Sequence, residues 1–157
     1  MEQPGYFKAL DGSPLYGVYH APGQKNDRAL PVVICPSLFE ERKSAYAPLR
    51  RLALRLSAAG HAVMRFDYRG SGESGGAGAS RRWQHLREDV AVARKTLAKL
   101  AGKRDSVLLG LRLGATLALQ ETQRVGGEAV IALAPVARGA AQVRLWKMRS
   151  KIRAELH

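Results

Sequence analysis

Val107-Leu108-Leu109-Gly110-Leu111-Arg112-Leu113-Gly114-Ala115 is the stretch that decides the fold. An apolar run enters a Gly-x-x-x-Gly pair, and a helix-forming run, Ala115 to Gln120, leaves it. The pattern predicts a buried strand, a sharp turn and a helix in direct succession. Small residues flank the middle position because backbone must pass close to backbone at such a turn. The middle position is Arg112.

Working outward, the same alternation of strand and helix recurs on both sides. Tyr6 to Leu10 and Leu15 to His20, joined by Asp11-Gly12-Ser13-Pro14, read as a β-hairpin with the Asp-Gly pair as its turn. Leu30 to Cys35 is β-branched and free of polar residues, the pattern of a strand buried on both faces, and Pro36-Ser37 stops it. Ser44 is expected to cap the next helix, with Pro48 in its first turn and Tyr46, Leu49, Leu52, Ala53 and Leu56 on one stripe as far as Gly60. Ala62 to Asp67 is a further strand. Leu86, Val90, Ala93, Leu97 and Leu100 mark an amphipathic helix. The helix after Arg112 is expected to halt at Gly126-Gly127, and Ala129 to Leu133 is a last short strand closed by Ala134-Pro135. These units predict an α/β fold: a largely parallel sheet of about six strands with three main flanking helices, opened by an antiparallel hairpin.

At 157 residues a single domain is expected, with 46% hydrophobic and 25% charged residues. Residues 1–137 read as the α/β core and 138–157 as a separate basic helix. The net charge of +13 favours anionic partners and bears on solubility and encounter, not on fold. A single cysteine, Cys35, excludes an internal disulfide and suits a reducing compartment. The N-terminal Met1-Glu2-Gln3-Pro4-Gly5 has no basic region followed by an apolar stretch, and no apolar run approaches the roughly 20 residues of a membrane span. A soluble, cytoplasmic protein is expected. No cofactor or metal motif stands out.

Asp67-Tyr68-Arg69-Gly70-Ser71-Gly72-Glu73-Ser74-Gly75 contains a literal G-x-G-x-x-G. A dinucleotide site would need a helix opening on those glycines and an acid at the end of the next strand. Gly76-Ala77-Gly78-Ala79 prolongs the loop and the next strand ends at Gly110, so the nucleotide reading is rejected. The stretch instead resembles the D-x-R-G-x-G-x-S loop of α/β-hydrolases. Gly110 to Gly114 resembles their nucleophile elbow, G-x-S-x-G, and Cys35-Pro36-Ser37-Leu38 falls where their oxyanion loop lies. The three segments come in family order and cover about residues 5 to 137. The finer pattern, Pro36 to Ser44 together with Gly110 to Ala115, resembles the serine aminopeptidase-like hydrolases linked to exosortase and exopolysaccharide loci. In that group Arg at the elbow is itself a recurring feature.

The resemblance implies an esterase- or peptidase-type hydrolase, from which this chain departs twice. Acyl transfer at a serine enzyme needs an oxygen whose proton a histidine can take, and Arg112 is permanently cationic. The family's catalytic acid and histidine follow two strands beyond the last one seen here. His20, His61 and His85 precede the elbow, His157 is the terminal residue, and each is expected at the surface or in a loop. The sequence reads as the N-terminal part of a longer hydrolase or as a shortened, catalytically degenerate paralogue.

Two roles are open for Arg112. It could hold a carboxylate or phosphate together with the backbone N–H groups of Leu38 and Leu113, which the resemblance makes the oxyanion hole. Alternatively Glu40 or Glu41 neutralises it as an internal pair, because a charge enclosed at a turn is costly unless paired. Cys35 is expected to be an inert core residue, and Ser37, Ser71 and Ser74 have no base beside them. Asp67 is expected to anchor its own loop, with Arg69 as the candidate partner.

Leu145, Met148, Ile152 and Leu156 form a helical stripe among Arg144, Lys147, Arg149, Lys151 and Arg153, with Trp146 at its edge. The stripe reads as the start of a lid, and more weakly as an anionic-membrane surface. The partners expected are a small acyl or carboxylate ligand, and a protein or second copy at the sheet edge after residue 133. Nucleic acid is disfavoured because no stacking platform accompanies the charge.

Overall fold

The computed structural model describes residues 1–76, 78, 82–125 and 129–155. The strands are β1 (Glu2–Lys8), β2 (Pro14–His20), β3 (Val32–Cys35), β4 (Val63–Phe66), β5 (Val107–Leu111) and β6 (Ala129–Leu133). The helices are α1 (Glu40–Ala58), α2 (Trp83–Ala101), α3 (Leu113–Val125) and α4 (Gly139–Glu155). One six-stranded sheet has the order β1-β2-β4-β3-β5-β6. The β1–β2 and β2–β4 pairs are antiparallel, and β4–β3, β3–β5 and β5–β6 are parallel. The predicted α/β class and N-terminal hairpin are what forms, with α4 as a fourth helix.

The central strands are buried between two layers, while β1 and β6 are largely exposed. Every residue of β3 and β4 is buried, the apolar ones as a central strand requires and Arg65 by bonding to His20 and Glu2. Ala45, Leu49 and Ala53 of α1 pack on one face against Val32, Ile34, Val63 and Leu109. On the other face Leu86, Val90, Ala93 and Leu97 of α2 and Leu117 and Ala118 of α3 meet Val33, Met64 and Leu108. Leu100, expected on the α2 stripe, is 53% exposed at the last turn, where Gly102 ends the helix with φ 64°.

Three expectations are corrected. First, α1 starts at Glu40, so Ser44 is no cap and Pro48 lies in the helix interior. Glu40 and Glu41 occupy the first turn, where the helix dipole favours acids, and the Ser44 hydroxyl donates to the Glu41 carbonyl at 3.1 Å. Tyr46 is accordingly turned to the exposed side. Second, Asp67 pairs with Arg42 at 2.6 Å, while Arg69 turns inward to Asp89 at 2.6 Å and Asp11 at 2.9 Å. Third, His20 is fully buried rather than at the surface, its Nε2 accepting from Arg65 Nε at 3.0 Å. Gly126-Gly127, expected to stop α3, lie outside the described residues. The glycine loop behaves as argued: Gly70 and Gly72 take left-handed turns, and α2 opens only at Trp83.

Burial, reinforced by the Arg65 charge, lowers the pKa of His20 from 6.5 to about 4, with Glu2 opposing. Between those values the unfolded chain binds a proton that the folded chain refuses. Stability is therefore full above pH 6.5 and falls toward pH 4, by on the order of 3 kcal/mol for this group. Urea unfolding as a function of pH should show this slope, and His20→Gln should flatten it. Gly114 gives a second expectation. A Cβ there would run into the carbonyl oxygens of Cys35 and Pro36, whereas one at Gly139 meets nothing within 4 Å. Gly114→Ala should cost about 3 kcal/mol in the same assay and Gly139→Ala close to nothing.

Candidate functional site

β3, β5 and β6 run in parallel and deliver their C-terminal ends to one edge of the sheet. The chain is bent sharply after each of them. Phe39, Arg112 and Ala134 all have positive φ, at 57°, 56° and 46°. Left-handed backbone costs a residue with a Cβ about 1–2 kcal/mol, and three such residues mark this edge as the strained part of the molecule. A Cβ on Gly110 would overlap the backbone of Ala115, so the Gly-x-x-x-Gly spacing reflects physical contact between β5 and α3.

The Arg112 side chain is held from three sides. Its Nε lies 3.4 Å from Glu41 Oε1 of α1. Nη1 donates to the Ala134 carbonyl at 3.3 Å and Nη2 to Gln142 Oε1 of α4 at 3.0 Å. Its backbone N–H donates to the Leu133 carbonyl at 2.9 Å. Of the two acids proposed as partners, Glu41 makes the pair, while Glu40 is exposed at the first position of α1. The Arg112 side chain is 32% exposed, so solvent screens the pair to well under about 1 kcal/mol, and its service is orientation more than stability.

Reached from Arg112 through Gln142 lies a groove of about 280 Å³ lined by Leu38, Phe39, Leu86, Leu113 and Trp146, with the cation Arg82 also on its wall. The Phe39 and Trp146 rings meet edge to face at 4.4 Å across it. Leu38 and Leu113 are buried, and no acceptor is found among the described residues for the N–H of either. Four further polar atoms near this edge are buried without a partner among the described residues: Ser37 Oγ, Glu41 Oε2, Gln142 Nε2 and Trp146 Nε1. A buried polar group left unpaired costs about 1–3 kcal/mol, so four in one region are an unusual local expense.

Of the other candidate nucleophiles, Ser37 and Cys35 are buried, while Ser71 and Ser74 are engaged elsewhere. The Cys35 thiol is wholly buried, and burial pushes its pKa far up, with the Glu121 charge adding to the effect. Ser74 Oγ donates to the Asp67 carbonyl at 2.6 Å and accepts from the Tyr16 N–H at 2.8 Å. Ser71 Oγ donates to the Tyr68 carbonyl at 2.7 Å. His61 bonds the Leu30 carbonyl at 2.7 Å, and His85 lies at the start of α2. Neither of them, nor His20, is bonded to a serine or to Arg112. No cluster of three or more His, Cys, Asp or Glu among the described residues could hold a metal ion.

α4 departs from its expected geometry. Gln142 and Trp146 face the elbow, whereas Met148 and Ile152 of the expected stripe are 54% and 50% exposed. Apolar side chains are distributed around this helix, so it has no single apolar face, and Leu156 falls outside the described residues. Gln142 was not legible as a site residue because attention to apolar spacing passes over it. Its position one turn before Trp146 was the available signal. No helix among the described residues is long and apolar enough to cross a membrane.

The family model described as serine aminopeptidase, S33, matches residues 32–157. The chain belongs to this family. No curated protein matches it. Among solved structures it is similar to an α/β serine hydrolase without lid from Xanthomonas campestris, with a TM-score of 0.72 at 20% identity over 88% of this chain and 63% of that one. An α-β serine hydrolase homologue from Coxiella burnetii gives 0.71 at 18% identity over 85% and 62%. An esterase from Pyrococcus furiosus gives 0.66 at 21% identity over 86% and 49%. These likenesses establish the α/β-hydrolase fold, and this chain spans between about half and five-eighths of those structures.

The left-handed backbone at the elbow of this S33-family chain can be tested directly. Arg112→Gly and Arg112→Ala both remove the ion pair, but only glycine relieves the positive φ. The glycine variant should be the more stable by about 1 kcal/mol in urea unfolding, and equal stabilities would mean that the turn is unstrained.

Proposed function

We propose that this chain is a catalytically degenerate α/β-hydrolase that binds a carboxylate-bearing acyl ligand at its elbow. The observation that carries the reading is Arg112 in the nucleophile position, clasped by Glu41 and by Gln142, which itself lines a mostly apolar groove. A cation, an unpartnered Gln142 N–H and an unpartnered Trp146 N–H are all donors, and they call for a ligand that brings acceptor oxygens. The ligand carboxylate displaces Glu41 from Arg112, and the hydrocarbon tail lies against Leu38, Leu113 and Trp146. A volume near 280 Å³ suits a short to medium aliphatic chain.

The second reading is an active esterase- or peptidase-type hydrolase of the exosortase-associated kind, and membership of the family favours it. It requires a nucleophile other than Arg112, and the oxygens and sulfur described above lack a neighbouring base. The two readings separate in one set of assays on the purified chain. On the binding reading, octanoate binds by calorimetry, Arg112→Ala weakens it at least tenfold, and Glu41→Gln tightens it by removing the competing carboxylate. Neither wild type nor Arg112→Ser turns over p-nitrophenyl butyrate. Ester turnover by the wild type that Arg112→Ala abolishes would sink the degenerate reading.

A further inference from the structure

A second cleft, of about 410 Å³, runs along the outer side of α2, between that helix, α3 and Leu10 of the first hairpin. Its charged groups are unequally committed. Glu121 is buried, and both its oxygens are taken by Arg124, at 2.8 and 2.9 Å. Glu88 accepts from Gln84 at 3.0 Å and from Arg69 at 3.3 Å. The two acids are thus neutralised by neighbours. Arg87 and Lys95, the other two cations of the cleft, have no acidic partner among the described residues, and Arg87 Nε is buried without an acceptor.

The apolar parts of the cleft are as well defined as the charged ones. Trp83 lines it, its ring fixed by an N–H donated to Gln120 Oε1 at 2.8 Å. Leu10, 69% exposed, lines it too. Ala91 and Val92 keep the floor low between Arg87 and Lys95, which are eight positions apart and so separated by about 12 Å of helix rise, a gap two long side chains can close over one anion. A dianion with several acceptor oxygens satisfies two unpaired cations better than a carboxylate does.

We propose that this cleft binds an organic phosphate monoester, with the phosphate between Arg87 and Lys95 and an apolar body against Trp83 and Leu10. The cleft shares Trp83 with the groove beside the elbow, but its two cations, Arg87 and Lys95, lie outside that groove. The test is calorimetric titration of the intact chain with phenyl phosphate, inorganic phosphate and phenol. Phenyl phosphate should bind with a Kd on the order of 0.1 mM, at least tenfold more tightly than either fragment. Arg87→Gln/Lys95→Gln should weaken it at least tenfold, and Arg112→Ala should leave it unchanged. Lys95 is exposed and Arg87 partly so, so the double variant is expected to fold, as circular dichroism would verify. Absence of binding, equal binding of inorganic phosphate, or a loss caused by Arg112→Ala in place of the double variant would each overturn the proposal.

Discussion

The structure depends on the contact between the β5–α3 turn and the end of β3. Gly114 lies so close to the Cys35 and Pro36 carbonyls, and Gly110 so close to Ala115, that neither position has room for a side chain. That closeness fixes where α3 begins. It sets the loop after β3 against the helix N-terminus and brings the backbone N–H groups of Leu38 and Leu113 to the same edge of the sheet. The strain of the turn is borne by Arg112 itself, and the packed layers of α1 on one face and α2 and α3 on the other hold it in place.

Charge compensation follows from that geometry. A guanidinium at the elbow is tolerated because α1 supplies Glu41, the strand end supplies a carbonyl, and α4 supplies Gln142. The same solution appears at the loop after β4. Arg42 anchors Asp67, and Arg69 is buried against Asp89, whose carboxyl burial pushes upward in pKa while Arg69 counters it. In a chain with twice as many basic as acidic residues, the enclosed cations are met by acids: Glu2 at Arg65, and Asp11, Glu88 and Asp89 at Arg69. At the elbow compensation is incomplete: one Glu41 oxygen and the Gln142 and Trp146 N–H groups remain unpaired. That unmet hydrogen bonding is what the ligand proposal rests on.

Much of this was legible in the chain, for local reasons. β3, β4 and β5 are short apolar runs that only a sheet covered on both faces can hide, and the α2 stripe was correct through Leu97. The elbow was readable because only glycine fits where backbones touch. Less legible were groups whose partners are distant in sequence. Asp67 was matched to its neighbour Arg69, yet the fold brings Arg42 to it from the start of α1. His20 was assigned to the surface because histidine usually lies there, while the pairing of β2 with β4 buries it beside Arg65.

The sequence by itself determined the alternation of strands and helices, the position of the sharp turn and the residue, Arg112, at its centre. These are properties of single residues and their near neighbours, governed by sterics and by period. Only the tertiary structure decided which acid meets Arg112, which face of α4 turns inward and where unpaired donors accumulate. The energy of an ion pair or a buried amide depends on what arrives from elsewhere in the chain, and distance along the sequence carries no information about that arrival.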